Sequence, residues 1–210
     1  MHKFRASSLG DIMSDPKSSK EPLSAGAKTV CEKLAKQLVY GYTESISSKY
    51  MDKGLAVEDR SIELVNSVLF TDYVKNTERR SNEWITGEAD IVTPTKIIDI
   101  KSSWSLSTFH ALAQDGMNKT YEWQGRAYMW LWDVEAFEIH YCLVNTPEEL
   151  IGFESETLHQ VEHLNPALRL SRVLYQRDRE LEEKIKIRVE AAREYMDQVI
   201  AKIAAEHSFT

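Results

Sequence analysis

The sequence predicts an α/β fold in which a central mixed sheet is flanked by helices, on three observations. Two β-patterned segments, residues 88–92 and 97–101, are joined by the turn Thr93-Pro94-Thr95-Lys96. A second strand pattern, FEIHYCLV at residues 137–144, alternates in the same way and extends the same sheet. Helical periodicity fills the chain before, between and after these strands.

In chain order, Ser7 and Ser8 precede Leu9, Ile12 and Met13, so one of them is placed to cap a short helix. Residues 14–26, SDPKSSKEPLSAG, read as a loop. Over 27–50 the residues Val30, Leu34, Leu38, Val39 and Tyr42 recur at helical spacing and predict a helix covering the sheet. The pattern repeats over 54–70 with Leu55, Ile62, Val65, Val68 and Leu69, leaving Glu58 and Glu63 as polar exceptions. Residues 75–82, KNTERRSN, form a basic stretch whose Arg79 and Arg80 either touch phosphates or pair with acids in a solvated loop.

After the hairpin, Ser102, Ser103 and Trp104 begin a loop. A hydroxyl there binds phosphate or caps a helix, and Trp104 either stacks on a base or simply packs. Residues 119–132 predict a helix with Tyr121, Gln124 and Tyr128 on one face, where a buried Gln needs partners and can orient a carboxylate. His140 on the following strand reads as a core or edge histidine. From Asn165-Pro166 one helix is expected over 166–206, with a stripe running from Leu170 through Ile185 and Val189 to Ile203. That stripe either caps the domain or docks on a neighbouring subunit.

The chemistry concentrates in GEADIVTPTKIIDIKSS. On a strand Asp99 and Lys101 project to one face, while Ile98 and Ile100 project to the other. Glu88 and Asp90 repeat this arrangement against Ala89 and Ile91. Converging carboxylates beside one ammonium form a hard-oxygen site suited to Mg²⁺, with a phosphodiester completing the shell. Lys101 would hold or deprotonate the attacking water. The plainer alternative is a surface hairpin with an ordinary ion pair.

Asp90, followed after eight residues by Asp99-Ile100-Lys101 at the end of an apolar strand, resembles the PD-(D/E)XK nuclease superfamily, with Asp in place of the commoner Glu. Lys53-Gly54-Leu55-Ala56-Val57-Glu58 resembles the segment supplying a further metal-side Glu from a helix. The stretch from Tyr121 to Trp130 is similar to the Gln-bearing helix of phage lambda-type (YqaJ-like) alkaline exonucleases. Phe4 to Met13 is similar to that group's Ser-containing opening segment. The four matches fall in order over residues 4–146.

The resemblance implies a restriction-endonuclease-like core at about residues 27–146 within a single nuclease domain spanning 1–210, followed by the long C-terminal helix. It implies a Mg²⁺-dependent 5′→3′ exonuclease on linear duplex DNA, using one or two Mg²⁺ with Mn²⁺ able to substitute. Asp90, Asp99 and Glu58 would hold the metal, Lys101 the water, and Gln124 would orient the set. Ser8, Arg5, Ser102, Ser103, Trp104, Arg79, Arg80 and Tyr128 are the candidate DNA contacts. A single-strand annealing protein is the implied partner, and a homo-oligomer, a ring of three, the implied assembly. A site-specific or structure-specific endonuclease, or an inactive DNA-end-binding module, remain alternatives.

Bulk properties narrow the choice. Length 210, with 42% hydrophobic and 28% charged residues, is ordinary for one soluble domain with a sizeable core. Two cysteines, Cys31 and Cys142, without CxxC spacing, argue against a disulfide framework, a zinc site or an iron–sulfur cluster. The net charge of −7 counts against a generally basic DNA binder, but only the lining of a channel must be positive. No apolar run spans a bilayer and residues 1–20 lack a signal-peptide core, so a cytoplasmic location is expected.

Overall fold

The computed structural model describes residues 2–44 and 47–207. Its elements are β1 (Phe4–Arg5), α1 (Gly10–Met13), α2 (Ala25–Tyr40), α3 (Lys49–Ala56), α4 (Glu58–Leu69), β2 (Arg79–Ser81) and β3 (Ile85–Glu88). There follow β4 (Ile91–Val92), β5 (Lys96–Ser102), α5 (Lys119–Trp132), β6 (Ala136–Cys142), α6 (Glu148–Ile151), β7 (Leu170–Gln176) and α7 (Arg179–His207). One sheet has the order β4-β5-β6-β7, in which only β5 and β6 run parallel; a smaller one has the order β1-β3-β2. A parallel neighbour needs a crossover, and α5 supplies it between β5 and β6.

Period-two alternation in β5 sorts the core. Ile97 joins Phe137, Ile139, Val173 and Tyr175 beneath α2, α5 and α7, whereas Ile98 and Ile100 join Ile91, Cys142 and Val144 against Ile62 and Val65 of α4. β5 is therefore buried on both faces, which explains its Ile-rich run. The predicted helix over 119–132 and the strand near 137–144 are present, the first capped by Asn118 accepting from the Thr120 and Tyr121 amides. The hairpin is present too, with Ile91 opposite Ile98.

Four expectations are corrected. The helix read over 27–50 ends at Tyr40, where Gly41 adopts φ 66° and terminates it. The pattern over 54–70 is two helices, broken at Val57 with φ −119° and ψ 13°. Glu88 closes β3 in the smaller sheet, so residues 88–92 are not one strand. The helix expected over 166–206 begins only at Arg179: Asn165 caps a 3-10 turn, and residues 170–176 are β7, antiparallel to β6.

The α7 stripe is spent inside the chain. Ile185, Val189, Ala192 and Met196 lie in the core, so it is not free to dock on another subunit. Arg188 donates to the Ser14 carbonyl at 2.8 Å and Arg193 to those of His2 and Glu83 at 2.8 and 2.6 Å, tying α7 to the N-terminal segment and to β3's approach. No helix among the described residues is long and apolar enough to cross a membrane.

Gly125 sets the closest approach of α5 to the sheet, since a Cβ there would lie 2.0–2.5 Å from three Phe137 ring carbons. Gly125→Ala should therefore destabilise the protein by about 2 kcal/mol or more, measured as a lower urea midpoint. A loss under about 0.5 kcal/mol would contradict this packing.

Candidate active site

The site begins with β5, whose odd positions face α5. Asp99 is 1% exposed, so its charge must be met within the protein. Lys101, two residues along the same face, places Nζ 2.7 Å from Asp99 Oδ2 and 4.6 Å above the Tyr121 ring centre. Gln124 comes from the middle of α5 and donates from Nε2 to Asp99 Oδ1 at 2.9 Å. The same Nε2 donates to Tyr128 Oη at 3.0 Å, and that hydroxyl donates to the Glu88 carbonyl at 3.0 Å. The chain of donors fixes the Gln124 amide and, through it, the Asp99 carboxylate.

Asp90 lies in the two-residue link between β3 and β4. Asn76 holds that link: its amide N–H donates to the Asp90 carbonyl at 2.7 Å and its side chain donates to the Ala89 carbonyl at 2.9 Å. The Asp90 side chain then accepts from the Ile100 amide at 2.7 Å. In a strand, a residue's N–H and C=O project on the same side. The Ile100 carbonyl thus faces the side on which Asp90 stands, beyond the end of the two-residue β4.

Burial, and then the neighbouring Asp99 charge, push the Asp90 carboxyl up to about 7. Burial pulls the Lys101 ammonium down, but Asp99 and Asp90 outweigh it and the net shift is upward. Lys101 is thereby held as a cation. The cationic form suits charge and hydrogen-bond donation.

Among the described residues, the buried Asp99 Oδ2 is met by the Lys101 ammonium alone, at 2.7 Å. A buried carboxylate oxygen in that state, beside a second buried carboxylate and a strand carbonyl, fits a hard divalent cation. Among the described residues no group of three or more Asp, Glu, His or Cys side chains is already gathered for a metal. Glu58, at the start of α4, reaches the same cleft, but its carboxylate is paired with Lys75.

The cleft has a volume of about 680 Å³ and is lined by Asp90, Asp99, Lys101, Gln124, Tyr128 and Glu58 together with Arg5, Arg79, Ser102 and Ser103. Three sequence expectations change. Ser7, not Ser8, lines it; the Ser8 hydroxyl donates to the Arg5 carbonyl at 3.3 Å within a 3-10 turn. Arg80 turns away from Arg79 along β2, forks onto Glu78 at 2.9 and 3.2 Å and covers Trp132. Trp104 touches the cleft but is 4% exposed, with its indole donating to Glu154 at 3.0 Å and its face under Lys49, so it packs and offers no stacking platform.

Arg79 pairs with Glu88 at 3.0 Å, and the Ser102 hydroxyl lies 2.8 Å from that of Ser61. Sequence reasoning missed Tyr50, Met51, Leu55 and His110 as lining residues. The signal for the first three was apolar residues on the outer side of a short helix. For Tyr50 and Met51 it was hidden by ending one helix at residue 50 and starting the next at residue 54.

A buried Asp-x-Lys strand braced by a Gln-bearing helix within this mixed sheet places the chain among the PD-(D/E)XK nucleases. No protein-family profile and no curated protein matches it. Among solved structures it is 38% identical to a phage-related exonuclease from Haemophilus somnus 129PT, over 96% of each chain, with a TM-score of 0.90. An alkaline exonuclease from Laribacter hongkongensis shares the fold at 15% identity and a TM-score of 0.70, covering 97% of this chain and 92% of that one. The same enzyme in complex with dAMP aligns at 17% identity and the same TM-score. The chain belongs to the phage lambda-type alkaline exonuclease family and is a nuclease acting on DNA.

A pH dependence follows from Asp90. Its folded pKa of about 7 lies above the unfolded value of 3.8, so between these the folded state holds a proton the unfolded state has lost. The Asp90 contribution to stability without metal is therefore fully present below about pH 4 and is lost as pH rises toward 7. Melting in EDTA from about pH 5 to about pH 8 should show Asp90→Asn losing less stability than wild type, by an amount on the order of 2 kcal/mol. Parallel curves would contradict the assignment.

Proposed function

We propose that this exonuclease is Mg²⁺-dependent and degrades one strand of linear duplex DNA in the 5′→3′ direction, leaving 3′ single-stranded tails for recombination by strand annealing. The cation reading is carried by two buried carboxylates in one cleft, Asp99, met on Oδ2 by a single ammonium, and Asp90, whose pKa burial and then Asp99 raise. Asp90, Asp99 and the Ile100 carbonyl would hold the first ion, with Mn²⁺ as a substitute. Glu58 would support a second on releasing Lys75. When bound, the cation supplies Lewis-acid polarisation of the phosphodiester and offsets the charge that develops on it.

The chain's own residues do the rest. Lys101 donates from its ammonium to a phosphate oxygen or aligns the attacking water. Gln124 keeps Asp99 in one orientation, and Tyr128 keeps Gln124 in place. Arg5, Ser7 and Arg79 take flanking phosphates, with Ser102 and Ser103 at the end of β5. Tyr50, Met51 and Leu55, which are 57%, 52% and 76% exposed, form an apolar wall that meets bases.

The whole of residues 1–210 acts as one nuclease domain. Strand polarity, an annealing-protein partner, a ring of three subunits and action in the cytoplasm are proposed from the family resemblance.

Linear duplexes with 5′-phosphate, 5′-hydroxyl or covalently closed ends, incubated with Mg²⁺ or EDTA, test this reading. The 5′-phosphorylated linear duplex should be lost only with metal, and Lys101→Ala should lower the rate by at least about 10²-fold. Cutting of closed circles would instead mark an endonuclease, and no cleavage a binding module.

A further inference from the structure

Lys53 lies outside this set of residues, yet this charged side chain has no exposure at all. Among the described residues of α3 it alone is buried; the helix otherwise shows Tyr50, Met51, Asp52, Leu55 and Ala56 to the outside. A short helix usually docks through apolar residues. This one docks through an ammonium.

Nζ donates to three backbone carbonyls: Ser103 at 2.6 Å, Val144 at 2.9 Å and Trp104 at 3.0 Å. These lie just past the parallel pair of β5 and β6, whose ladder is continued once by the Ser103 amide donating to the Cys142 carbonyl at 2.8 Å. Beyond that rung the two strands present carbonyls that need donors. An ammonium carries three protons for these three acceptors, of which the Trp104 carbonyl also accepts from Thr146 Oγ1 at 2.9 Å. Burial pulls Lys53 down to about 8, whereas the three carbonyls favour its charged form.

Burying a cation costs more than burying a leucine, so its use here calls for a reason other than stability. Three directed hydrogen bonds fix the height and rotation of a helix more sharply than apolar contact does. We propose that Lys53 is a positioning residue of the nuclease: by capping the carbonyls beyond β5 and β6, it sets where α3 stands and holds the Tyr50, Met51 and Leu55 wall over the cleft. The inference rests on the cleft being the DNA site, as proposed above.

Lys53→Met keeps the length and removes all three donors; Lys53→Gln keeps two N–H groups. Rates of linear-duplex digestion against DNA concentration, together with amide hydrogen exchange, test the role. In Lys53→Met, KM should rise by about tenfold while kcat falls less than about threefold, with faster exchange confined to residues 49–56. Lys53→Gln should lie between it and wild type. The role is overturned if KM is unchanged, if kcat falls as far as KM rises, if exchange quickens equally in β5 and β6, or if neither variant folds. Failure of the parent reading is separate: wild type would not digest DNA, whereas the exchange result would still report α3 docking.

Discussion

The buried charge of Asp99 is the constraint on which the rest of this molecule depends. A carboxylate that has lost water must recover its stabilisation from fixed partners, and here each partner arrives on a different element. Lys101 comes from two residues further along β5 and Gln124 from α5, while Asp90, from the link between the two sheets, brings a second carboxylate that opposes the charge. Because β5 is packed on both faces, a register slip would carry Asp99 into the apolar layer beside α4. The apolar alternation of the strand thus fixes the polar geometry.

The two sheets meet at this site through Tyr128. Its hydroxyl joins Gln124 to the Glu88 carbonyl, so α5 ties the end of β3, the central strand of the smaller sheet, to β5. Gly87 makes room for it, since a Cβ there would approach Tyr128 Cε1 to 2.8 Å. The acidic balance of the chain does not extend to the cleft, where Arg5, Arg79 and Lys101 face Glu58, Asp90 and Asp99.

Much of this was legible in the sequence where local pattern and tertiary role agree. Helix α5 has an N-cap and an apolar face interrupted by Gln124, the residue that holds Asp99. β7 was not legible, because Leu170 and Leu174 are four apart and fit a helix as well as a strand. The deciding alternation, Ser171, Val173 and Tyr175 inward, is visible only once β6 lies alongside. The choice between Ser7 and Ser8 turns on a 3-10 turn that rotates one hydroxyl to the cleft and the other to its own backbone. Lys53 was beyond sequence reasoning, since a lysine beside a glycine carries no sign that three carbonyls await it.

The central claim is that a divalent cation balances the Asp90–Asp99 pair, and proton release tests it most directly. If Asp90 holds a proton up to about pH 7, a cation binding there must displace it. Calorimetric titration of Mg²⁺ at about pH 6, in two buffers of different ionisation enthalpy, should show release approaching about one proton per first ion bound. Release should fade above about pH 8 and be absent in Asp90→Asn. Binding with no proton release at the lower pH, or binding unaltered by that substitution, would contradict the account.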